Sequence, residues 1–582
     1  MLDLGSEQQE GRVEEYKFEP IKGYPMLNWR GKRPFTSTQF YPAQLKEVHG
    51  PEVDGWRNKI FWGDNLQVMS HLLRDFRGKV DLIYLDPPFD SKADYKKKIK
   101  LRGQKLLNDS MSFEEKQYSD IWSNDGYLQF MYDRLNLLKE LLHKDGVIFV
   151  HIDPGVSHYI KLMMDEIFGS TNFMNEIIWS YRRWPSSSKK YQSMHDVILF
   201  YRKTGSADRY FEVEYEDASE SYMKRFGGKT QILDTESGTR KITSDEETKG
   251  MPLRDVWDIS VLAGNKPERV GYPTQKPEEL LERIIRNNSE PNDLILDCFM
   301  GSGTTQAVAC KMGRRFIGAD INVGAVQTTT KRLSKILQEN DEFEFRPDVT
   351  QYGFEVQTVN HYDVFRNPVE AKELLLEALE VNPLSQHGIY DGEKDGRMVK
   401  IMPVNRIATK ADLNELTASF DQKVFQRRQD ENPRQPVEKI LLVCMGHEPD
   451  LKAELELEAK PFKIDVEVVD ILRDKSQLEF KRDAEAKLAI RDGELVIENF
   501  YPMNLLQKLS LQQEQVGEWR ELVDSVMVDW NYDGAVLQPA VVDVPGKDDF
   551  VVGRYKVPAD AGTIRVKITD LLSESWEGNI DG

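Results

Sequence analysis

The sequence has little cysteine and no long apolar run. Its three cysteines, Cys298, Cys310 and Cys444, are widely separated among 582 residues, which argues against a disulfide framework and against a cysteine-based zinc site. No apolar stretch approaches membrane-spanning length, and the opening MLDLGSEQQEGRVEEYKFEP is too acidic and polar for a signal peptide. We therefore expect a protein with no metal and no membrane partner, in a reducing, cytoplasmic setting.

A positive net charge is also absent. The formal net charge is −20, and taken alone this argues against a polyanionic partner. Binding depends on local patches, however, and seven Lys or Arg residues against one acid, Asp94, fall between Lys92 and Lys105. The run begins six residues after Asp86. The charge pattern therefore leaves a local contact with a nucleic acid open.

The sequence does contain a regular alternation of strand and helix patterns. NKIFW and VDLIYLD have the pattern of strands, and LQVMSHLLRDF between them has that of an amphipathic helix. Such repeats predict a parallel α/β sheet, and the chain length predicts several domains. The predicted divisions are an N-terminal extension (1–50), a large α/β domain (51–345), a helical or linker region (346–435), a small α/β unit (436–526) and a β-rich C-terminal domain (527–582).

The stretch DLIYLDPPF ends a predicted strand in an unusual way. Asp86 follows the apolar run, and then Pro87, Pro88 and the aromatic Phe89 stop the strand. Each proline fixes φ and removes a backbone donor. Although a turn of this kind can simply terminate a strand, here it also holds a carboxylate on a stiff backbone.

A second stretch, DLILDCFMGSGTT, has the pattern of a nucleotide-binding turn. The strand ends in Asp297, and Gly301 and Gly303 precede a predicted helix, as a sharp turn close to a ligand requires. Gln306 stands where the dinucleotide fingerprint has its third glycine, which disfavours NAD. Asp320 follows at roughly the 20-residue spacing of a ribose-binding carboxylate. The loop thus suits an adenosine-bearing ligand without a pyrophosphate.

These motifs together resemble a known family. LDPPF, DCFMGSGTT and the upstream YPTQKP are similar to motifs IV, I and X of the amino-group DNA methyltransferases that use S-adenosylmethionine. The catalytic motif comes first, as in the permuted β-class. The resemblance covers about residues 57–337 and implies an α/β class I methyltransferase fold, Rossmann-like and circularly permuted, with an additional C-terminal α/β and β-rich region. It divides the large domain into a catalytic half (51–200), a target-recognition insertion (201–265) and a cofactor-binding half (266–345).

The resemblance assigns a role to the DPPF turn. The carboxylate of Asp86 and the carbonyl of Pro87 would accept the two hydrogens of an exocyclic amino group, while Pro87 and Pro88 fix the angle between the acceptors. Phe89 would stack on the base, which must leave the helix to reach the site. Transfer would be direct, without metal or covalent enzyme intermediate. An aspartate at this position favours N6 of adenine over N4 of cytosine.

The resemblance also implies a cofactor site. Asp297 and the glycine loop would surround the methionine and ribose portion, Asp320 would bind the ribose hydroxyls, and Asp64 of WGDN would contact the cofactor adenine. The YPTQKP segment would border the methionine end. The residues expected to bind S-adenosylmethionine are Asp64, Thr274, Lys276, Pro277, Asp297, Phe299, Gly301, Ser302, Gly303, Thr304 and Asp320.

Two basic stretches are candidates for DNA contact. Basic residues can contact phosphates, and interleaved aromatic residues can stack on bases, although such stretches are often only solvated loops. The candidates are Lys96, Lys97, Lys98, Lys100, Arg182, Arg183 and Trp184. Expected partners are double-stranded DNA, a second copy of the chain, and a helicase, nuclease or other defence-system subunit. The last expectation follows from a resemblance of the tail to modification subunits of type III restriction systems.

The predicted function is methylation of adenine N6 in DNA, in the restriction-modification or phage-defence system of a prokaryote. Three alternatives remain at this point. The chain could be an N4-cytosine DNA methyltransferase, a methyltransferase of RNA or protein, or a catalytically silent or partner-dependent DNA-recognition subunit. The intact DPPF turn argues against the silent subunit, and the permuted order argues against RNA and protein.

Overall fold

The architecture comes from a computed structural model, and the description below keeps to the residues that it places. These are residues 15–17, 26–88, 94–100, 112–119, 124–182, 189, 191–218, 223–225, 229–233, 240–263, 266–272, 274–342, 352–359, 372, 375–376, 379, 381–384, 389–404, 408–418, 420–433, 435–447, 450–471, 484–511, 516–546 and 549–581.

A ten-stranded mixed sheet forms the centre of the molecule, with the strand order β7-β5-β6-β4-β3-β8-β9-β2-β10-β1. Its strands are β1 (Ala43–His49), β2 (Asn58–Trp62), β3 (Val80–Leu85), β4 (Leu142–Ile152), β5 (Phe173–Ser180), β6 (His195–Arg202), β7 (Val256–Asp258), β8 (Leu294–Asp297), β9 (Arg315–Asp320) and β10 (Phe354–Val359).

The sheet is parallel from β4 to β10 and antiparallel in three pairs. β6 runs antiparallel to β4 and to β5, and β1 runs antiparallel to β10. The sequence pattern predicted a parallel sheet throughout, and that part of the prediction is wrong. A strand that returns without a crossover helix runs antiparallel, and the described residues between β5 and β6 include no helix.

Helices cover both faces of this sheet. One face packs against α1 (Asn65–Phe76), α2 (Asn124–Leu141) and α3 (Ser157–Phe168), and the other against α4 (Glu278–Asn288), α5 (Thr304–Lys311) and α6 (Val323–Glu342). In β3, Ile83 and Leu85 join the first core, whereas Leu82 and Tyr84 join the second. The run is therefore continuously apolar, because both faces of the strand are buried. Each fully buried Leu or Ile contributes roughly 1.5–3 kcal/mol.

The C-terminal part contains three further sheets. One is five-stranded, with β11 (Asn382–Pro383), β12 (Gly392–Lys394), β13 (Arg397–Ile401), β14 (Glu438–Cys444) and β15 (Ile464–Asp470), and packs with α7 (Leu413–Ala418), α8 (Gln422–Glu431) and α9 (Leu451–Glu458). The other two share a core and comprise β16 (Glu485–Arg491), β17 (Glu494–Tyr501), β18 (Val523–Asp529), β19 (Val541–Asp543), β20 (Arg554–Lys556), β21 (Thr563–Asp570) and β22 (Ser575–Asp581), with helix α10 (Met503–Leu511) beside them.

We call residues 484–581 the C-terminal β unit, and this unit contacts the edge of the central sheet. The Val48 N–H in β1 donates to the Leu537 carbonyl at 2.9 Å, and the Leu537 N–H donates to the Lys46 carbonyl at 2.9 Å. Lys567 forms a buried ion pair with Glu47 of β1. The unit therefore supplies backbone partners to the free side of the edge strand.

Sheet pairing crosses several of the predicted domain boundaries. The central sheet includes β1 and β10, which fall outside the predicted range 51–345. Strands β13 and β14 pair across the boundary at 435, and β17 and β20 pair across the boundary at 526. Among the described residues, no helix has the length and apolarity of a membrane span, and no group of three or more His, Cys, Asp or Glu side chains is placed to hold a metal ion.

Candidate active site

Four carboxylates lie at one edge of the central sheet. Asp297 and Asp320 end β8 and β9, while Asp86 and Asp64 follow shortly after β3 and β2. These four strands are parallel, so their carboxyl ends meet at the same edge, where ligands of open α/β sheets bind. The fold thus brings together two motifs that the sequence holds far apart.

The glycine loop between β8 and α5 needs its glycines for conformation and for space. Gly301 has φ +50° and Gly303 has φ +70°, a region that side chains disfavour. A Cβ on Gly303 would lie 2.5 Å from Oγ1 of Thr329 in α6. The Gly301 N–H donates to Oδ2 of Asp320 at 2.9 Å, which fixes the loop to the next strand. The loop is therefore tightly packed and held in one conformation.

Asp297 is bonded by its own turn. Its carboxylate accepts from the Phe299 N–H at 3.0 Å and from Oγ1 of Thr305 at 2.6 Å, and the residue is 2% exposed. Burial, with the like charges of Asp86 and Asp320, raises the pKa of Asp297 to about 7 despite those two hydrogen bonds. Burial likewise raises the pKa of Asp320 to about 6. The crevice therefore favours a cation, which would stabilise the ionised carboxylates.

The predicted motif X segment links Asp86 to the glycine loop. The Lys276 ammonium forms an ion pair with Oδ2 of Asp86, and the two side chains are 11% and 19% exposed. The Lys276 carbonyl accepts from Oγ1 of Thr304 at 3.3 Å. Thr274 has a left-handed φ of +64°, and Pro277 precedes α4. The sequence predicted Lys276 beside the cofactor, whereas its charged end lies on the carboxylate predicted to be catalytic.

Asp64 has a structural contact of its own. It caps α1, since Oδ1 accepts from the Leu66 N–H at 3.0 Å. Its neighbour Asn65 donates from Nδ2 to the Cys298 carbonyl at 3.2 Å. Residues at the end of β2 are thereby tied to the turn that follows β8.

Sequence reasoning missed Arg134, which connects these residues. Its guanidinium donates to Oδ1 of Asn65 at 2.6 Å and to Oδ2 of Asp64 at 3.3 Å. It also lies 3.5 Å from the ring centroid of Phe130, whose ring is 6.0 Å from that of Phe299. The available signal was a single arginine in the otherwise apolar helix α2.

A buried hydrogen-bonded chain lies behind Asp86 and was also missed. The Tyr84 hydroxyl and His151 Nδ1 are 2.8 Å apart, His151 Nε2 is 3.1 Å from Oδ2 of Asp196, and Tyr181 donates to Oδ1 of Asp196 at 2.9 Å. Burial, followed by the nearby charges of Asp86, Asp297 and Asp196, raises the pKa of Tyr84 well above its ordinary value. The sequence suggested only a core or surface position for His151.

The remaining predicted residues are placed in part. Pro87 is buried and Pro88 half-buried, while Phe89, Arg183 and Trp184 lie outside the described residues. Arg182 is exposed. The four predicted lysines fall in the strand Asp94–Lys100, which pairs antiparallel with Ser112–Ser119. Their contact with DNA therefore stays a prediction.

Comparisons with known proteins agree with the motif assignment. The family model described as DNA methylase matches residues 80–331. The type II methyltransferase M1.MboII of Moraxella bovis is 31% identical over 265 residues, which make up 44% of this chain and 90% of that protein. The DNA adenine methyltransferase YhdJ of Escherichia coli K12 is 28% identical over 282 residues, which make up 47% of this chain and 82% of that protein.

A third relative is the Mod subunit of the type III restriction-modification enzyme StyLTI from Salmonella typhimurium. It is 28% identical over 320 residues, which make up 43% of this chain and 49% of that protein. The chain thus spans about half the length of this relative. All three matches cover less than half of the chain.

Proposed function

We propose that this chain, which belongs to the DNA methylase family, methylates the exocyclic N6 of adenine in double-stranded DNA and uses S-adenosylmethionine as methyl donor. The observation that carries this proposal is the pairing of β3 with β8. These neighbouring parallel strands deliver Asp86 and Asp297 to one edge of the sheet. An acceptor for an amino group and a turn suited to a nucleoside then share one crevice.

On the substrate side, the chain must hold a weakly nucleophilic nitrogen. The lone pair of an exocyclic amino group is delocalised into the ring, so the site has to orient it. The Asp86 carboxylate and the Pro87 carbonyl would accept the two amino hydrogens, and the prolines would keep these acceptors in place. Phe89 would stack on the extruded base, and the basic strand Asp94–Lys100 would contact phosphates.

On the cofactor side, the crevice fits a cationic nucleoside. S-adenosylmethionine supplies a methyl group activated by a positively charged sulfonium. Asp297 and Asp320 are buried carboxylates that a cation would stabilise, and Gly301 and Gly303 leave the loop without side chains. Asp320 would bind the ribose hydroxyls and Asp64 the adenine end. The walls would be formed by Thr274, Lys276, Pro277, Phe299, Ser302 and Thr304.

The biological setting is proposed from the relatives. A type III Mod subunit among them supports a role in prokaryotic restriction-modification or phage defence, in the cytoplasm and on DNA. A nuclease or helicase subunit and a second copy of the chain are the partners that this role implies. Asp86 and a relative named as an adenine methyltransferase support adenine as the base.

Methyl transfer to unmethylated bacterial DNA tests the proposal. Labelled S-adenosylmethionine is incubated with the DNA and wild-type protein or Asp86→Ala, and the nucleosides are identified by mass spectrometry. Asp75→Ala serves as control, since Asp75 is 59% exposed on α1. We expect N6-methyladenine from the wild type and the control and none from Asp86→Ala. N4-methylcytosine would overturn the base assignment, and no product from the wild type would overturn the activity.

A further inference from the structure

We propose that Lys276 is a positioning residue shared between two carboxylates: its ammonium neutralises Asp86 while the site is empty and moves to Asp196 when the target amino group arrives. This inference rests on the proposed function. It assigns to Lys276 a role on the acceptor side of the reaction, whereas its motif position suggested a role at the cofactor.

The first ground is the ion pair itself. Lys276 contacts Oδ2 of Asp86, and both side chains are largely buried. An incoming amino group would need the oxygens of the same carboxylate as acceptors. A charged donor binds a carboxylate more strongly than a neutral amino group does. The empty site is therefore closed by its own lysine, and the base has to displace that lysine or share the carboxylate with it.

The second ground is the crowding of negative charge. The ionised form of Asp297 is disfavoured first by burial and also by the charges of Asp86 and Asp320. Tyr84, from the strand before Asp86, is subject to the charges of Asp86, Asp297 and Asp196. A pocket with this many carboxylates needs a cation to keep Asp86 ionised. Lys276 supplies that charge at Asp86.

The third ground is a second carboxylate placed to receive the ammonium. Asp196, on β6, is 7% exposed, and its oxygens are held by Tyr181 at 2.9 Å and by His151 at 3.1 Å. Burial acts to raise the pKa of Asp196, but the hydrogen bond from His151 and the charges of His151 and Lys276 outweigh it and lower that pKa. Asp196 is therefore ionised and lies within the electrostatic reach of Lys276.

The arrangement of His151 keeps Asp196 in place for this exchange. With the Tyr84 hydroxyl donating to Nδ1, a neutral His151 donates from Nε2 to Asp196. Tyr181 fixes the other oxygen. The carboxylate then has a defined position that does not depend on Lys276. Movement of one flexible lysine between two fixed carboxylates would keep the charge of the pocket constant before and after the base enters.

Single-turnover methylation as a function of pH tests this role. Full-length wild type, Lys276→Met, Lys276→Arg and Asp196→Asn are compared at saturating and at varied DNA, and S-adenosylmethionine affinity is measured separately. Lys144→Met is the matched control, because Lys144 is 69% exposed. Thermal unfolding of each variant confirms that it is folded.

We expect Lys276→Met to move the acidic limb of the rate upward by about one pH unit or more, as loss of an adjacent opposite charge predicts. Lys276→Arg keeps the charge and should keep the limb near its wild-type position. Asp196→Asn should raise the DNA concentration needed for half-maximal rate several-fold, because the ammonium then has no second carboxylate. S-adenosylmethionine affinity should change less than threefold in all three variants.

Two results would overturn the inference while leaving the activity in place. One is an unchanged acidic limb in Lys276→Met; the other is a tenfold loss of S-adenosylmethionine affinity as its main defect, which would make Lys276 a cofactor residue. A wild type without product would overturn the proposed function and this inference together.

Discussion

Lys567 of the C-terminal β unit and Glu47 of the edge strand β1 form an ion pair in which both side chains are about nine-tenths buried. Glu47 is also 2.9 Å from His49. Although burial acts to raise the pKa of Glu47, the charge of Lys567 and the hydrogen bond from His49 outweigh it and lower that pKa below its ordinary range. The two parts of the chain are thus joined through a charge that has no water to replace its partner.

Removal of Lys567 should therefore destabilise the protein strongly. We expect Lys567→Met to lower the free energy of unfolding by about 3–5 kcal/mol, because it leaves Glu47 buried without its partner. Lys487→Met is the control, since Lys487 is 70% exposed beside Glu498 and surface pairs contribute roughly 0–1 kcal/mol. Denaturant unfolding followed by tryptophan fluorescence measures both. Equal small losses would show that the buried pair does not hold the unit in place.

Asp297 should make the ligand-free protein more stable as the pH falls from 8 to 6. Its pKa is about 7 in the folded chain and 3.8 ordinarily, so between these values the folded state binds more protons than the unfolded state. Lowering the pH through this window therefore favours folding. Asp297→Asn should show a smaller gain than the wild type, whereas Asp75→Asn, at a 59% exposed side chain, should match it. Identical pH profiles for wild type and Asp297→Asn would contradict the assignment.

The glycine loop should not tolerate a side chain at Gly303. Gly303→Ala combines a left-handed φ, which costs roughly 1–2 kcal/mol, with a Cβ placed 2.5 Å from Oγ1 of Thr329. Gly55→Ala is matched to it, because Gly55 has the same φ of +70° and no atom within 4 Å of the added Cβ. We expect at least a tenfold loss of S-adenosylmethionine affinity by calorimetry in Gly303→Ala only. Retained affinity would mean that the loop can shift without cost.

Arg134 should support cofactor binding without a contact of its own to the reacting atoms. Its guanidinium holds Asp64 and Asn65 and lies over Phe130. We expect Arg134→Met to weaken S-adenosylmethionine affinity about tenfold, and Arg134→Lys not to restore it, because a lysine lacks the planar fork. Arg74→Met provides the comparison, since Arg74 lies over the Phe40 ring on the surface. Full rescue by lysine would reduce the role of Arg134 to charge alone.

The local elements of this fold could be predicted well from the sequence. VDLIYLD was predicted as a buried strand, and β3 (Val80–Leu85) confirms it, because a strand buried on both faces must be apolar throughout. The helix α1 follows from its apolar spacing. The turn at Gly301 and Gly303 follows from residues that alone accept a positive φ. These signals are short-range, and a sequence carries them directly.

The contacts between distant residues could not be predicted in this way. Lys276 and Asp86 are 190 positions apart, and no local pattern reports that a lysine will meet a carboxylate rather than a ligand. Arg134 and Asp196 look like ordinary polar residues within apolar elements, and only packing shows that they are bonded. The antiparallel strand β6 was missed for a similar reason, since strand direction depends on the path between the strands.

The contact between Leu537 and β1 has a further consequence for the shortened forms of this protein that a structural or biochemical study would prepare. In the intact chain, the outer side of this strand is partly satisfied by the Leu537 backbone. A version that ends before residue 484 would leave those N–H and carbonyl groups bare, and an open edge recruits strands from other molecules. Oligomers or precipitates of such a fragment would then report the missing cover and not the assembly state of the enzyme.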